Sequence, residues 1–493
     1  MRRLLWLVVV SACGAPSTDA ASTRRTLVVG YGADESPLAL NRDRLGRYPL
    51  NANICEPLVR LARDFSVAPA LAARWEARPG NTTRFVLRPG VRFSDGTAVD
   101  AQAAATTLTD AVRSRIDYTF LADSSVTVVD DSTLDVRPGR VNHRLADQLV
   151  HPTYGVVKPG SDRTRRPVCT GPFRLTEYVP HDHLTVVRNE RFRGPPALLD
   201  TVVFRYIADE TTRTLALRAG QVDAIVDVGA ASASALARVS GLQVVAAPPG
   251  AVIVMYINRN GVAPFQQLRD DTLRRVVAMA IDRQRLVTSV VGNGSTVAAT
   301  VNPPAVLGPD AAFVTGVRHD PAGARALLRG RRPALHLIAN PNGIDRAVLE
   351  FVQSELAAVG ITVAVEQLDA AAYESRLNSG AFDLDLELPS QNDANPAFLL
   401  ALRWYAGSGT RSVAFTHASA RFDTLVERAL GATTHDEARR RAAEAMHQLV
   451  DVEVGAIPLA GISRIYALRA GVAGFVPHPS RLNQDWSTVH WAH

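Results

Sequence analysis

"RFVLRPGVRFSDGTAVDA", residues 84–101, carries a sharp pattern and almost no chemistry. Phe85, Leu87, Val91 and Phe93 keep one parity on either side of Pro89-Gly90, so a single apolar face continues through a turn. Asp95-Gly96 supplies a second turn, and Asp100 is placed to cap an alanine-rich helix expected from about Ala101 to Arg113. The stretch holds no nucleophile, no ligand pair and no phosphate loop. It is scaffold, and the function has to be sought elsewhere in the chain.

At 493 residues, with 47% hydrophobic and 21% charged side chains, the chain has an ordinary globular profile and the length of about three domains or two large lobes. A core of that size needs neither disulfides nor metals to be stable. The net charge of +6 is scattered and carried almost wholly by arginine, Lys158 being the only lysine. No dense basic run with interleaved aromatics occurs, so nucleic acid is not an expected partner.

The N-terminus, "MRRLLWLVVVSAC", has a basic start and an apolar run, Leu4 to Val10, far too short to span a bilayer. It reads as a signal peptide over residues 1–12. Val10-Ser11-Ala12-Cys13 resembles a bacterial lipobox, with Cys13 lipidated and residues 13–24 forming a tether; an incidental cysteine after an ordinary signal peptide is the alternative. No later apolar run is long enough to span a bilayer. The mature protein is thus expected outside the cytoplasmic membrane, anchored to it by lipid, in the cell-envelope space. Cysteines left over in an oxidising compartment tend to pair, so a Cys55–Cys169 disulfide is expected, against the alternative of two separate buried thiols.

Further along, "TLVVG" (26–30) reads as a strand, "NANICEPLVRL" (51–61) as an amphipathic helix and "APALAARWEA" (68–77) as a short element. "SSVTVVDDSTLDVRP" (124–138) alternates as strands around an Asp-Asp-Ser turn. Residues 169–192 read strand–turn–strand, and 198–228 strand–helix–strand with Gly220 stopping the helix. An apolar strand (251–260) and a helix (269–291) follow. The clearest α/β unit is a strand at 334–340, a turn at Pro341-Asn342-Gly343, a helix from Ile344 to Val359 capped by Gly360, and a strand at 361–368. A helix (370–378), the strand "FDLDLEL" (382–388) and a long helix (435–452) complete the pattern. Such units imply a parallel sheet with ligands near the carboxyl ends of its strands.

Taken in order, "NANICEPLVRL", "APALAARWEA", "TRFVLRPGVRFSDGTAVDA", "TGPFRLTEY", "RNERF", "LRAGQVDA", "LRRVVAMAIDR", "GITVAVEQLD" and "GAFDLDLEL" closely resemble the family 5 extracellular solute-binding proteins of ABC importers, which include dipeptide-, oligopeptide- and nickel-binding proteins. The resemblance covers nearly the whole mature chain. It implies an α/β, two-lobed periplasmic-binding-protein-like fold of type II, with an extra β-rich subdomain and a hinge. Lobe I is expected from 25–50, 168–262 and 469–493, the β-rich insert from 51–167, and lobe II from 263–468. It also implies a monomer that closes on a small-molecule or peptide ligand and docks on an importer permease.

The stretch "LPSQNDANPAFLLALRWYAG" (388–407) is the most informative for cargo. Peptide-binding relatives carry, by the resemblance, an Asp four residues before a Pro, and that Asp meets the peptide's α-amine. Here Asn392 stands four before Pro396, Asp393 follows it, and Asn395 precedes the proline. Either Asp393 takes over with a one-residue shift, or the cargo lacks a cationic amine; the bland reading is that Asn392, Asp393 and Asn395 cap a loop. Arg403, Trp404 and Tyr405 could clamp a carboxylate or stack on a ligand, or simply pack a helix end. Tyr31 and Asn51 or Asn53 sit at element ends that could reach the cleft. His181-Asp182-His183 reads as a hairpin turn rather than a metal site, and neither metal nor cofactor is expected. No Gly-x-Ser-x-Gly, His-Glu-x-x-His, P-loop or dinucleotide fingerprint is present, so no enzyme is expected. Alternatives to peptide capture are a receptor for nickel or another solute, or an envelope interaction protein that kept the scaffold without transport.

Overall fold

The computed structural model describes residues 25–32, 51–114, 121, 123–140, 142–163, 165–292, 294–340, 343–408, 410 and 412–492. The expected signal peptide, Cys13 and the tether lie outside them, as do residues 33–50 of the expected first lobe and Pro341-Asn342.

The opening stretch folds around its apolar face. Strand Thr82–Leu87 pairs with Ala72–Arg78 and Thr133–Arg137, and Ser125–Asp130 completes a four-stranded antiparallel sheet. Phe85, Leu87, Val91 and Phe93 are all buried in one cluster with Ala104, Leu108 and Ala111 of helix Ala101–Ser114. The alanines let that helix lie close to the sheet. Asp100 Oδ1 caps it, accepting from Ala103 N at 2.8 Å.

Two expected helices are shorter than their patterns suggest. Residues 51–61 divide into helix Asn51–Ile54 and strand Val59–Leu61, because Pro57 lacks an N–H and disfavours helical geometry at Glu56. The expected helix at 269–291 breaks after Asp271–Ala280: Ile281 is extended, and Asp282 caps a new helix, Arg283–Leu286, through Arg285 N at 2.9 Å.

Two larger sheets form the lobes. Among the described residues, one runs Leu242–Ala246, Ile465–Arg469, Ala224–Ile225, Thr26–Tyr31, Thr201–Tyr206, His183–Arg188, Phe173–Val179. The other runs Thr296–Val297, Ala456–Ile462, Ala251–Ile257, Leu384–Glu387, Ala334–Ala339, Thr362–Glu366. Each has a parallel centre: Thr26–Tyr31 with its two neighbours, and Ala334–Ala339 with its two. By sheet membership the crossings fall at 247–250 and 463–464, earlier than the expected borders at 262/263 and 468/469. Strand Ala251–Ile257 already pairs with Leu384–Glu387 in the second sheet, and Ile465–Arg469 already pairs with Leu242–Ala246 in the first.

The chain enters the β-rich unit built on the four-stranded sheet just after Ile54 and leaves it just before Gly171, two segments that lie side by side as its neck. Cys55 and Cys169 are disulfide-bonded there, with Cα atoms 4.9 Å apart. Gly171 N donates to Ile54 O at 2.9 Å, and a Cβ on Gly171 would sit 2.6 Å from that same oxygen. The bond closes a loop of sequence separation 114. A Cys55→Ser/Cys169→Ser variant is therefore expected to lose about 2–5 kcal/mol of stability in urea melts. A loss under about 0.5 kcal/mol, within the range of a neutral surface change, would show that packing alone holds the neck.

Candidate functional site

One loop that follows a parallel-paired strand in each large sheet takes part in contacts at the junction of the lobes. The loop leaving Ala224–Ile225 carries Asp227, and the loop leaving Leu384–Glu387 carries Ser390 and Asn392. This is the crevice position at which α/β sheets bind ligands.

Asp227 is held in the left-handed region (φ 53°) and faces two guanidiniums, Arg464 Nη1 at 2.8 Å and Arg481 Nη2 at 3.4 Å. Burial alone would raise its pKa, but Arg481 and Arg464 outweigh burial and hold the carboxyl at about 2. Arg464 lies in the crossing segment between the lobes. Its Nη2 donates to Ser390 Oγ of lobe II at 3.3 Å. A second bridge runs from Ser480 Oγ, in the C-terminal tail, to Asn392 Oδ1 at 2.9 Å. Asn53, expected to face the cleft, supports that bridge indirectly. Its amide donates to Gln484 O at 2.7 Å and accepts from Trp486 N at 2.9 Å. Gln484 in turn donates to Ser480 O at 2.8 Å.

The crevice loop is fastened along its length. Gln391 N donates to Gly250 O in the first crossing, at 3.1 Å. Asn302 Nδ2 donates to Gln391 Oε1 at 3.0 Å. Asp393 Oδ1 accepts from Asn395 N at 2.8 Å and Gln391 Nε2 at 3.2 Å; Asn395 Oδ1 accepts from Ala397 N at 2.9 Å. Asp393 and Asn395 are buried, and Asn392 is partly exposed.

Arg403 closes the base of this loop. Its Nη2 is 2.9 Å from Glu387 Oε2, so the residues before and after the loop are ion-paired. Tyr373 Oη lies 2.9 Å from Glu387 Oε1 and 3.1 Å from Asp385 Oδ2. Burial, then the neighbouring Glu387, push the Asp385 carboxyl well above its ordinary range. Trp404 is fully buried and stacks on Tyr256, centroids 4.7 Å apart. Tyr405 Oη donates to Glu427 Oε1 at 2.9 Å. Tyr31 is buried edge-on to Phe204 at 5.5 Å. Of the residues singled out from sequence, Asn392, Asp393 and Asn395 thus share one crevice loop, Arg403 staples it, and Trp404, Tyr405 and Tyr31 pack into the lobes.

Asp227, Arg464, Ser390 and Ser480 had not been singled out. A lone Asp after a short strand carries no motif, and its positive φ is invisible in sequence. The Asp385–Glu387 pair did leave a signal: acids at alternate positions of "FDLDLEL" share one strand face. His183 bonds Asp182 at 2.9 Å and Glu177 at 3.3 Å within the hairpin. Among the described residues no group of three or more His, Cys, Asp or Glu side chains could hold a metal.

Two lobes joined by crossing strands, with a polar seam at their strand ends, define a hinged solute-binding protein. Residues 66–410 match the model of the bacterial extracellular solute-binding proteins, family 5, and the chain belongs to that family. It is a solute-binding protein of the kind that serves ABC importers. A glutathione-binding protein of Salmonella paratyphi A is 27% identical over 398 residues, covering 74% of each chain. A probable D,D-dipeptide-binding periplasmic protein of Escherichia coli is 24% identical over 507 residues, covering 96% of this chain and 95% of its own. A periplasmic binding protein of Helicobacter pylori, solved with the peptide STSA, superposes with a TM-score of 0.80 at 20% identity, covering 96% and 99%.

Replacing Arg403 with Met leaves the buried carboxylate pair without its counter-charge. Stability at pH 7.5 is expected to fall by about 3 kcal/mol. Urea melts at pH 7.5 check this; a loss under about 0.5 kcal/mol, within the range of a neutral surface change, would mean that the pair does not hold the base of the loop.

Proposed function

We propose that the protein is an exported, lipid-anchored receptor that captures a peptide or peptide-like solute between its lobes and delivers it to a membrane permease. The observation that carries this reading is the seam at the strand ends, where Ser390 and Asn392 of lobe II meet Arg464 and Ser480. A solute lodged there touches both lobes. It therefore binds the closed form better than the open one, and only such a difference in affinity moves a hinge. Relatives that bind glutathione, D,D-dipeptides and a tetrapeptide favour a peptide-like cargo. The basic, apolar and Val-Ser-Ala-Cys13 pattern supports export and a lipid anchor.

The loop also bears on how a peptide's amino end is met. Asp393 Oδ1 is committed to Asn395 N and Gln391 Nε2 inside the loop. The partly exposed side chain at the relatives' acid position is the uncharged Asn392. We therefore expect the cargo's end to be held by neutral hydrogen bonds.

Mass spectrometry of small molecules released after native purification, with thermal-shift screening of dipeptides and reduced glutathione, tests the capture reading. A bound solute at 100 times its Kd adds about 2.7 kcal/mol to stability. No released solute and no stabilisation by either class would sink it. For a dipeptide that binds, N-acetylation should change the Kd of the wild type less than about threefold. Asn392→Asp should restore preference for the free amine by about tenfold, the gain of a charge-assisted over a neutral hydrogen bond. A wild type that rejects acetylated dipeptides would show that another acid meets the amine.

A further inference from the structure

The β-rich insert touches lobe II, and it does so at the crevice loop. Ala394, at the tip of that loop, is fully buried within the insert's own hydrophobic cluster, together with Val306 of lobe II. Ala394 N donates to Asp147 O of the insert at 2.8 Å. Three residues earlier in the insert, Arg144 pairs with the Asp147 carboxylate, Nε to Oδ2 being 2.6 Å. The same guanidinium reaches out of the insert: its Nη2 is 2.9 Å from Nδ1 of His435, the first residue of lobe II helix His435–His447. Arg140 of the insert adds a contact from Nη1 to Gly407 O.

The insert cannot follow lobe II, because its neck is fixed to lobe I by Cys55–Cys169. Its edge therefore meets lobe II only when the lobes are together. We propose that the insert is a second jaw: Arg140, Arg144 and Asp147 clamp the crevice loop and its surroundings in the closed form, and His435 must be a neutral acceptor for Arg144 to make the clamp. The proposal rests on the capture reading only in taking the lobes to open and close.

The charges around His435 agree. Arg144 faces it from the insert, and Arg439 and Asp436 lie on its own helix, with Asp64 on the insert beyond. Asp147 is held behind Arg144. Burial first, then Arg144 and Arg439, lower the imidazole below its ordinary value. A lowered His pKa in the closed form means that closing releases a proton. Closure is then favoured above about pH 6.5, the ordinary imidazole value, and weakens as pH falls below it. Asp147 titrates in the other sense: burial outweighs Arg144 and raises its carboxyl to about 6, so acid does not disfavour its buried form. The pH response is therefore assigned to His435.

The test is amide hydrogen exchange at Ala394, corrected for intrinsic rate, in the purified protein without added solute. The wild type is expected to lose protection between pH 7.5 and 5.5, by up to about tenfold, the limit that an ordinary imidazole value of about 6.5 in the open form sets. His435→Gln keeps a neutral acceptor and should stay protected at both. His435→Lys places a permanent cation against Arg144 and should be unprotected at both, with an unchanged far-UV spectrum. Equal wild-type protection at the two pH values, or a pH transition that persists in His435→Gln, overturns the proposal. Should His435→Lys not fold, the comparison of His435→Gln with wild type decides alone. Neither readout needs a solute, so failure here leaves the capture reading standing, and failure of capture leaves this result intact.

Discussion

Everything in this molecule depends on two adjacent crossings, at 247–250 and 463–464. Strands Leu242–Ala246 and Ile465–Arg469 pair antiparallel in one lobe, and their continuations Ala251–Ile257 and Ala456–Ile462 pair antiparallel in the other. Two short links in register permit a bend and resist shear and separation. The crossing is crowded at one point: a Cβ on Gly250 would lie 1.8 Å from Pro479 O. Gly250 O also accepts from Gln391 N of the crevice loop. Tail, hinge and loop thus converge on a residue that cannot carry a side chain. Arg464, in the second crossing, binds Asp227 and Ser390, so any bend that parts the lobes must break or redirect its contacts.

The insert is tied into this scheme by its neck. A subdomain attached at one point would swing, and its far edge would have no defined position relative to lobe II. The disulfide and the glycine-tight contact at Gly171 remove that freedom. The insert's alternating strands and alanine-rich helix then matter as a rigid lever, which carries Arg140, Arg144 and Asp147 to a fixed place. The apolar parity of residues 84–101 builds that rigidity, its side chains sharing one buried cluster with Ala394 of the crevice loop.

Much of the fold was legible because it is periodic. Phe85, Leu87, Val91 and Phe93 declare a face by parity, and all are buried; Val348, Phe351, Val352 and Leu356 declare one by helical spacing, and all but the partly buried Phe351 are buried. Breaks set by single residues were harder to read, as Pro57 and Asp282 show: each cuts an apolar pattern that continues past it. The disulfide was legible from export and cysteine arithmetic alone. The crevice loop was legible only as a segment. Asn392 and Arg403 could be singled out because they lie near a proline and an aromatic pair. Asp227, Arg464 and Ser480 could not, since their meaning comes from contacts between residues 74 to 237 positions apart, which no local pattern records. Trp404 shows the opposite failure: an aromatic beside an arginine suggests a ligand platform, but here the ring fills the core against Tyr256.

The acids of strand Leu384–Glu387 explain why that loop can hold a fixed shape at all. A loop that must present Ser390 and Asn392 to another lobe cannot rely on apolar packing at its polar end. The Glu387–Arg403 pair joins the two ends of the loop through a directional, charge-assisted contact. Tyr373 bonds the Glu387 oxygen that Arg403 does not hold, and burial beside Glu387 pushes the Asp385 carboxyl well above its ordinary range. A buried ion pair adds little stability over an apolar substitute, but it tolerates few alternative arrangements. Specified geometry at the base, with hydrogen bonds to three separate bodies at the tip, makes the loop a rigid element that reports the relative position of the lobes, and such an element is what a closing receptor needs.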